Sequence, residues 1–477
     1  MRTMRTFFLH TLTVLLFALA ITSCGGGGGG SNAPVVVQEP IRFSSNFESG
    51  SIGAIKSLDA TGLSWELALR DDNGNASMPD SFRTWWFVRA DGVPIGKVLH
   101  LEFSRLGFNY PFVPVYSLDG KKWDYFAEKD VSFAPGCLVA MPDTCRLIVK
   151  AAFSSPTVWI ARTFPYTGTD LDTYLQSIAS HPSVRTETIG YSPQRGIGMR
   201  LITLRNPTSV GSKKTVWIHA RTHAAETGPS YVLEGLINAI LADNALGKAL
   251  RNQYVFKIVP MHNADGVYLG NYRTNATSIN LENTWNFQPG QVYLNSDAPD
   301  ENQLLNHYGM VPTLLDTTAP VVLALNLHAS NSTPDTAAFL FPHFGSSAAK
   351  YTAAQQNLWR TQIRFIETLA SEYGGRIEQP PVDGGNGFLT SAFPETWWWH
   401  HVQDAVNAIT LETTYGRAGF DHWVTQQDLR DLGVALARTI ATMATPVANV
   451  QARTLGTSAV PSVYRLPFKP EIYQEQH

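Results

Sequence analysis

A histidine and a glutamate lie three positions apart shortly after an apolar stretch of the sequence. Residues 215–218 have the composition of a buried strand, and His223 and Glu226 follow them. Residues 231–241 then repeat apolar side chains at the spacing of an amphipathic helix. An imidazole and a carboxylate at the exit of a strand are two of the three protein ligands that a catalytic zinc ion needs. The pair alone is weak evidence, because His-x-x-Glu often arises by chance.

Three further apolar segments also end in polar residues. Residues 254–259 lead into a turn that begins at Asn263, residues 321–330 contain His328, and residues 405–414 contain Glu412. Ligands of an open α/β sheet bind outside the carboxyl ends of its strands. Taken singly, each of these side chains is readily explained as a solvated loop residue, but that explanation would have to hold four times. The pattern therefore predicts one chemically active site at the edge of a sheet.

In these motifs and their order, the chain resembles the zinc carboxypeptidase family, and most closely its cytosolic carboxypeptidase, or tubulin deglutamylase, branch. The matching stretches are His223-Ala-Ala-Glu226, Asn263-Ala-Asp-Gly-Val267, Gly270-Asn-Tyr-Arg273, Leu327-His-Ala329 and Thr410-Leu-Glu412. Upstream stretches, among them Phe47-Glu-Ser-Gly50 and Pro165-Tyr-Thr-Gly-Thr-Asp-Leu171, resemble the β-rich domain that precedes the catalytic domain in that branch. The resemblance covers roughly residues 40–445.

The resemblance implies a role for each matching residue. His223, Glu226 and His328 would bind one zinc ion per chain, which is the His₂Glu set of carboxypeptidase A itself. Glu412 would be the general base that deprotonates the zinc-activated water and then the acid that protonates the leaving amine. Arg273 would stabilise the oxyanion. The plainer interpretation of Arg273, a surface arginine after a turn, is less favoured because this chemistry needs preorganised positive charge.

The chain departs from the family where the substrate's terminal carboxylate is usually held. The family continues with Asp-x-Asn-Arg-x-Trp, whereas this chain has Asn280-Leu-Glu-Asn-Thr-Trp285. Glu282 stands where the family has Asn, and Asn283 where it has Arg, so the charged fork that grips a carboxylate is missing. Asn280 replaces an aspartate that orients a zinc-bound histidine, and its amide oxygen can still accept that hydrogen bond.

Two interpretations of this departure remain open. Another arginine, Arg221 or Arg417, has taken over the carboxylate, or the substrate does not present a free α-carboxylate. An acidic Glu282 would suit a substrate with an amine near the scissile bond. Glu282 and Asn283 are therefore candidate substrate-binding residues.

The N-terminal residues predict an exported protein. Residues 1–6 are basic, and residues 7–21 form an apolar segment that is too short to span a bilayer. Ile21-Thr-Ser-Cys24 resembles a bacterial lipobox, in which cleavage precedes Cys24 and lipid is added to its thiol. Six glycines follow as a flexible tether. A plain signal peptide with an incidental cysteine is the alternative. We expect a lipid anchor to a membrane, in the periplasm or at the cell surface.

The two other cysteines of the chain fit this expectation. Cys137 and Cys145 lie in a loop-like stretch and could form a disulfide in an oxidising compartment. The alternative is two free buried thiols. Neither cysteine belongs to a Cys-x-x-Cys pair or has a histidine at zinc-site spacing.

Composition and periodicity predict the domain organisation. The 477 residues are 44% hydrophobic and 11% aromatic, which suffices for two cored domains. A formal net charge of −3 gives no basic footprint for nucleic acid. We expect a signal peptide over 1–24, a linker over 25–39, an all-β sandwich over 40–165, a catalytic domain over 166–446 and a tail over 447–477.

Within the catalytic domain, strand and helix patterns alternate. Helices fit a segment that starts at Asp170 and the ranges 231–241, 348–373 and 426–443. The fold class is therefore α/β, with a mixed sheet covered by helices on both faces. The tryptophan run before Glu412, residues 397–399, is interpreted as packing in preference to a substrate subsite.

Three functions follow from these observations. The leading hypothesis is a zinc metallocarboxypeptidase that removes a C-terminal residue from a peptide. The second is a zinc amidohydrolase that acts on cell-wall peptides or acylated amino acids, which the altered carboxylate site favours. The third is a surface lipoprotein that binds ligands without catalysis, which the retained ligands and base argue against.

Overall fold

The computed structural model describes residues 40–140, 144–285, 300–330, 333, 335–385, 389 and 392–444. The predicted leader, Cys24, the glycine linker and the tail lie outside these residues. No helix in the described part of the chain is long and apolar enough to cross a membrane.

The N-terminal region is built from short strands separated by glycine, proline and asparagine turns. The strands are β1 Arg42–Ser44, β2 Ile55–Ser57, β3 Ser64–Ala68, β4 Phe87–Asp91, β5 Val98–Ser104, β6 Val115–Ser117, β7 Asp124–Tyr125, β8 Val131–Phe133, β9 Arg146–Ala152 and β10 Thr157–Ala161. One sheet has the order β1-β4-β10-β6-β7 and the other the order β2-β3-β5-β9-β8. Short 3-10 turns occur at Asp72–Gly74, Asp80–Phe82 and Glu128–Asp130.

The inward side chains of these two sheets form one apolar core. Alternate residues of β5, Leu99, Leu101 and Phe103, are buried, as the pleat of a half-buried strand requires. Trp86, just before β4, is completely buried and stacks on Phe103 with ring centroids 4.9 Å apart. A sheet-on-sheet core of this kind is a β-sandwich, as the sequence predicts.

A disulfide closes one end of the sandwich. Cys137 begins the short helix α1 Cys137–Ala140, and Cys145 directly precedes β9. The two residues are joined with their Cα atoms 5.0 Å apart, and both side chains are buried against the sandwich core.

The second region is a mixed sheet with helices on both faces. Its strands are β11 Val184–Tyr191, β12 Gly198–Leu204, β13 Lys214–Ala220, β14 Tyr254–Val259, β15 Val321–Ser330, β16 Phe339–Leu340 and β17 Asn407–Thr414, in the order β11-β12-β14-β13-β15-β17-β16. The central strands β14, β13, β15 and β17 are parallel, and the outer pairs are antiparallel.

Helices pack against both apolar faces of that sheet. They are α2 Gly168–Ile178, α3 Gly228–Leu241, α4 Ala245–Gln253, α5 Ala264–Leu269, α6 Glu301–Leu305, α7 Val311–Leu315, α8 Ala353–Glu372, α9 Pro394–Val402 and α10 Gln426–Ala444, with a π-helical turn at Asn306–Met310 and 3-10 turns at Leu281–Asn283 and Gln403–Ala405. Ile218 and Leu325 pack against α3, α8 and α10, whereas Trp217 and Ala324 face α6 and α9. The central strands are therefore apolar on both sides.

Most predicted helices are confirmed, with shifts at their starts. The ranges 231–241, 348–373 and 426–443 correspond to α3, α8 and α10, although α8 begins only at Ala353. The helix expected to start at Asp170 begins two residues earlier. Thr167 caps it, and Asp170 completes a capping box by accepting a hydrogen bond from the Thr167 backbone.

Candidate functional site

Four parallel strands bring the predicted site residues to one edge of the sheet. β13 ends just before the loop that carries His223 and Glu226, and β15 carries His328 near its own carboxyl end. β17 pairs with β15 so that His328 and Glu412 lie directly opposite each other. The expected meeting of strand ends is therefore observed, because parallel strands place their carboxyl ends at the same edge.

The two histidines and the glutamate form a compact, buried group. Nδ1 of His223 and Nδ1 of His328 are 3.1 Å apart. Each also lies 2.8 Å from one carboxylate oxygen of Glu226. Zinc held tetrahedrally by nitrogen and oxygen at about 2.0–2.1 Å keeps its ligands about 3.3 Å apart. The donor types and their spacing therefore fit a single zinc ion, as the sequence predicts.

Each histidine points its other ring nitrogen at a second side chain. Nε2 of His223 is 3.1 Å from Oδ1 of Asn280, and Nε2 of His328 is 3.2 Å from Oε2 of Glu282. The Ala329 backbone N–H donates to Glu226. These contacts fix the rotation of both imidazoles so that Nδ1 faces the metal position.

Opposite charges perturb the protonation of this group. Burial alone would raise the pKa of Glu226, yet His223 and His328 hold it well below its usual range. Burial would lower the pKa of His328, but the Glu282 and Glu226 carboxylates raise it well above 6.5. Burial and then the nearby Arg273 charge lower the pKa of His223. Metal binding would require both imidazoles in their neutral form.

Glu412 lies beside the ligand group with one carboxylate oxygen unengaged. The side chain is only 3% exposed, and Oε2 has no hydrogen-bond partner among the described residues. Burial, followed by the Glu226 carboxylate, raises the pKa of Glu412 to about 8. A buried carboxylate with a free oxygen next to a metal position can take and return a proton.

Arg273 places a positive charge near His223 and Glu412. Its side chain is buried, with the guanidinium carbon 5.6 Å from the centre of the Phe82 ring. The Arg273 charge opposes the increase in the pKa of Glu412, after burial and Glu226 have raised it. Arg273 thus lies within electrostatic range of both His223 and Glu412, where the sequence resemblance predicts an oxyanion-stabilising residue.

The sandwich holds the loop that carries Arg273. The buried Asp72 carboxylate accepts hydrogen bonds from the backbone N–H groups of Tyr272, Arg273 and Thr274, at 2.6, 2.9 and 2.8 Å. Burial raises the pKa of Asp72, and these N–H donors oppose that increase. Nearby, Asn271 Nδ2 donates to Oδ1 of Asn73 at 2.8 Å. The loop therefore depends on the sandwich for its conformation.

The structure corrects the prediction that Glu282 binds substrate. Its carboxylate is buried, and both oxygens are engaged, one with His328 and one with the amide of Asn326 at 2.8 Å. Asn283, the other candidate, is exposed beside it on the Leu281–Asn283 turn. Asn280 has the contact with His223 that was expected of it.

The two arginines considered as replacements for the carboxylate clamp are occupied. Arg221 is 2% exposed and donates to the carbonyl oxygens of Ala224 and Tyr166 and to Oγ of Ser230. The alternative that Arg221 holds the substrate carboxylate is therefore not supported, because its guanidinium is inside the protein and engaged there. Arg417 forms an ion pair with Glu128 of the sandwich.

Sequence reasoning missed two charged residues of the sandwich. One is Asp72, whose partners lie about two hundred positions later in the chain. The other is Arg162, which is buried and stacks over the ring of Tyr415, three residues after Glu412, at 4.7 Å. No local pattern marks either residue. The tryptophan run behaves as predicted, since Trp397 and Trp398 are buried in the core between α9 and the sheet.

Family models match both regions of the chain. Residues 171–377 match the family described as zinc carboxypeptidase, and residues 43–161 match the cytosolic carboxypeptidase N-terminal domain. The resemblance inferred from the motifs is thus confirmed for the sandwich and for the catalytic region.

Several proteins named cytosolic carboxypeptidases are similar in sequence to this chain. The chain is 25% identical to cytosolic carboxypeptidase 6 of Caenorhabditis elegans over 357 residues, which cover 72% of each protein. It is 34% identical to cytosolic carboxypeptidase 2 of Macaca fascicularis over 50% of this chain and 30% of that protein. The chain spans about half of the mouse and human proteins named cytosolic carboxypeptidase 6, 46% and 49% of their lengths.

Solved bacterial structures share the whole fold. A metallo-carboxypeptidase from Burkholderia cenocepacia superposes with a TM-score of 0.66 at 21% identity, covering 85% of this chain and 98% of that one. A metallo-carboxypeptidase from Pseudomonas aeruginosa, in complex with (2-guanidinoethylmercapto)succinic acid, gives 0.65 at 20% identity, covering 84% and 98%. These structures show the fold alone, whereas the family match and the named relatives indicate a hydrolase of the metallocarboxypeptidase type that uses zinc.

Proposed function

Because the chain is similar to zinc carboxypeptidases in both of its regions, we propose that it hydrolyses the C-terminal peptide bond of a peptide substrate. The observation that carries the proposal is the buried group of His223, Glu226 and His328 with Glu412 directly opposite on the neighbouring strand. A group with three ligands and an adjacent free carboxylate matches the needs of metal-assisted hydrolysis.

Different residues of the chain have separate roles in the proposed reaction. Zinc, when bound, would act as a Lewis acid and lower the pKa of water. Oε2 of Glu412 takes the proton of the attacking water and then delivers it to the leaving nitrogen. The guanidinium of Arg273 stabilises the negative charge that develops on the carbonyl oxygen. Asn280 and Glu282 keep the two imidazoles in their binding orientation.

A second function, hydrolysis of an amide in a cell-wall peptide or an acylated amino acid, is favoured by one specific observation. The Asn-Arg pair expected to hold a terminal carboxylate is replaced by Glu282 and Asn283. Glu282 is engaged with His328 and Asn326, so it does not substitute for the missing charge. A substrate without a free α-carboxylate at that position would not need the pair.

The products of the reaction distinguish these functions. The zinc-loaded protein would be incubated with free-acid peptides, their C-terminal amides and muropeptides, and the products read by mass spectrometry. We expect loss of single C-terminal residues from the free acids, reduced by about 10²- to 10⁴-fold in Glu412→Gln. Cleavage of the amides or muropeptides alone would establish the amidohydrolase. Zinc binding without any Glu412-dependent product would favour the binding lipoprotein.

For the location of the protein, we propose export and anchoring to a membrane through lipid on Cys24. The Ile21-Thr-Ser-Cys24 motif and the glycine tether after it support this proposal. The disulfide between Cys137 and Cys145 agrees with it, because disulfides persist in oxidising compartments.

Fractionation of cells that express the full chain tests the anchor. The wild-type protein should sediment with membranes, and its N-terminal peptide should carry the mass of an acylated Cys24. Cys24→Ser should lose both properties. Equal membrane association of the two proteins would contradict the lipid anchor.

A further inference from the structure

We propose that Glu282 is a positioning residue for the zinc ligand His328, and that the chain has transferred its ligand-orienting carboxylate from one histidine to the other. The inference rests on the proposed zinc site but not on the hydrolysis of any particular substrate. It begins from the contact between Oε2 of Glu282 and Nε2 of His328, 3.2 Å long and buried on both sides.

The position of the Glu282 carboxylate is fixed by several contacts. Asn326 lies two residues before His328 on β15, and so on the same face of that strand. Its amide donates to the other carboxylate oxygen of Glu282 at 2.8 Å. One carboxylate therefore bridges two side chains of a single strand, which leaves neither oxygen available to a substrate.

The turn that carries Glu282 is itself held in place. Oδ1 of Asn280 accepts the backbone N–H of Glu282 at 3.1 Å. The carbonyl oxygen of Leu281 accepts a hydrogen bond from Asn302 at 2.7 Å. Because this turn is anchored at both residues, Glu282 meets His328 in a fixed geometry.

Comparison with the family pattern gives this contact its meaning. The pattern places an aspartate that orients a zinc-bound histidine at the position of Asn280, and an asparagine at the position of Glu282. In this chain the neutral amide of Asn280 is 3.1 Å from His223, and the carboxylate stands two residues later, against His328. The charge near the metal is therefore kept, but it acts on the other ligand.

A carboxylate that accepts the outer N–H of an imidazole makes the inner nitrogen a stronger metal donor. Transfer of the carboxylate should thus strengthen the His328–metal bond relative to the His223–metal bond. It also explains why a residue at the expected carboxylate clamp is acidic, because the position now serves the metal and not the substrate.

Zinc affinity measured by competition with a chromophoric chelator tests the inference. Glu282→Gln keeps the size of the side chain and removes its charge, and we expect its zinc affinity to fall about 10- to 100-fold. The double variant Asn280→Asp/Glu282→Asn returns the carboxylate to His223 and should recover most of that loss. Cobalt(II) absorption spectra of the three proteins would report the change in ligand field.

Glu395→Gln is the matched control. Glu395 is a buried carboxyl near the site that accepts a hydrogen bond from Thr410 and contacts no metal ligand by hydrogen bonding within the described residues. At pH 8, above the pKa of about 7 to which burial raises Glu395, its replacement also removes a charge. It should leave zinc affinity within about twofold of wild type, because outer-sphere effects need direct contact with a ligand. Circular dichroism of each zinc-free protein would show that the variants fold.

The possible results separate a failure of the proposed role of Glu282 from a failure of the proposed zinc site. A folded Glu282→Gln protein that binds zinc as tightly as wild type would overturn the role of Glu282. An equal loss in Glu395→Gln would also overturn it, since the effect would then be general electrostatics. If the wild-type protein itself bound no zinc, the zinc site of the proposed function would fail, and the inference with it.

Discussion

The sandwich core and the carboxyl edge of the catalytic sheet are both buried, but they are filled in opposite ways. The sandwich interior is almost entirely apolar, with Trp86, Phe103 and their neighbours packed between two sheets. The sheet edge is as well buried and holds His223, Glu226 and Glu412, each under 5% exposed. Burial therefore stabilises the fold in one region, whereas in the other it shifts the pKa values of carboxylates and imidazoles.

The two regions are not independent, because polar side chains of the sandwich contact the loop that carries Arg273. Asp72 accepts three backbone hydrogen bonds from the loop that carries Arg273. In the part of the chain that the structure describes, its neighbour Asp71 instead pairs with Arg83 and Arg105 inside the sandwich. The sandwich therefore contributes to the site by shaping a loop.

The first prediction concerns the apolar core of the sandwich, where the change in the free energy of unfolding should be greatest. Trp86→Ala removes a fully buried ring that stacks on Phe103, and should lower the free energy of unfolding of the sandwich by about 3–5 kcal/mol. Urea unfolding followed by fluorescence would measure it. Val210→Ala, at a 95% exposed position, is the control and should change little. A loss under about 1 kcal/mol for Trp86→Ala would contradict the division of roles between the regions.

The second prediction concerns the contact between the sandwich and the catalytic region, and its effect on kcat/KM. Asp72→Asn removes the charge that organises residues 272–274, and should lower kcat/KM about 10- to 100-fold because Arg273 shifts. Zinc content should not change, since Asp72 contacts no ligand by hydrogen bonding within the described residues. Asp71→Asn is the matched control, and it should affect stability but not kcat/KM. Equal losses of kcat/KM in both variants would show that the sandwich acts only through general stability.

The third prediction concerns the pH dependence of stability and a buried carboxyl near the sheet edge. Burial, followed by the Glu282 charge, raises the pKa of Glu395 to about 7. The folded protein therefore keeps a proton that the unfolded chain releases above about pH 4.5. This stabilising contribution is complete below that pH and is lost as the pH rises through about 7.

Glu395→Gln should abolish that pH dependence. Relative to wild type, the variant should gain about 3 kcal/mol in the free energy of unfolding between pH 4.5 and pH 8. Urea unfolding of both proteins at several pH values would measure the difference. A difference that stays constant with pH would mean that Glu395 titrates normally.

Much of the site could be predicted from the sequence because its parts are local. Apolar runs that end at His328 and Glu412 identify buried strands, and parallel strands necessarily bring such ends together. The tryptophan run could likewise be interpreted as packing, because large aromatic side chains mostly supply buried area.

The rest depends on directions and distances that no local pattern contains. Glu282 is visible as a departure from the family, but only the fold shows that the turn points it at His328 and not at the substrate. Arg221 has a positive φ of 62° and turns its guanidinium inward, which its neighbours in sequence do not indicate. Asp72 meets its partners across about two hundred residues.

The ligand group also has a consequence for the order in which the protein assembles. His223 and His328 are 105 positions apart, and their Nδ1 atoms meet only when β13 and β15 pair. Closing such a long loop costs chain entropy before the contact is gained, which disfavours formation of the ligand group early in folding. Zinc would then bind the folded sheet and stabilise it. Because zinc would bind the folded protein and not the unfolded chain, added zinc should raise the free energy of unfolding.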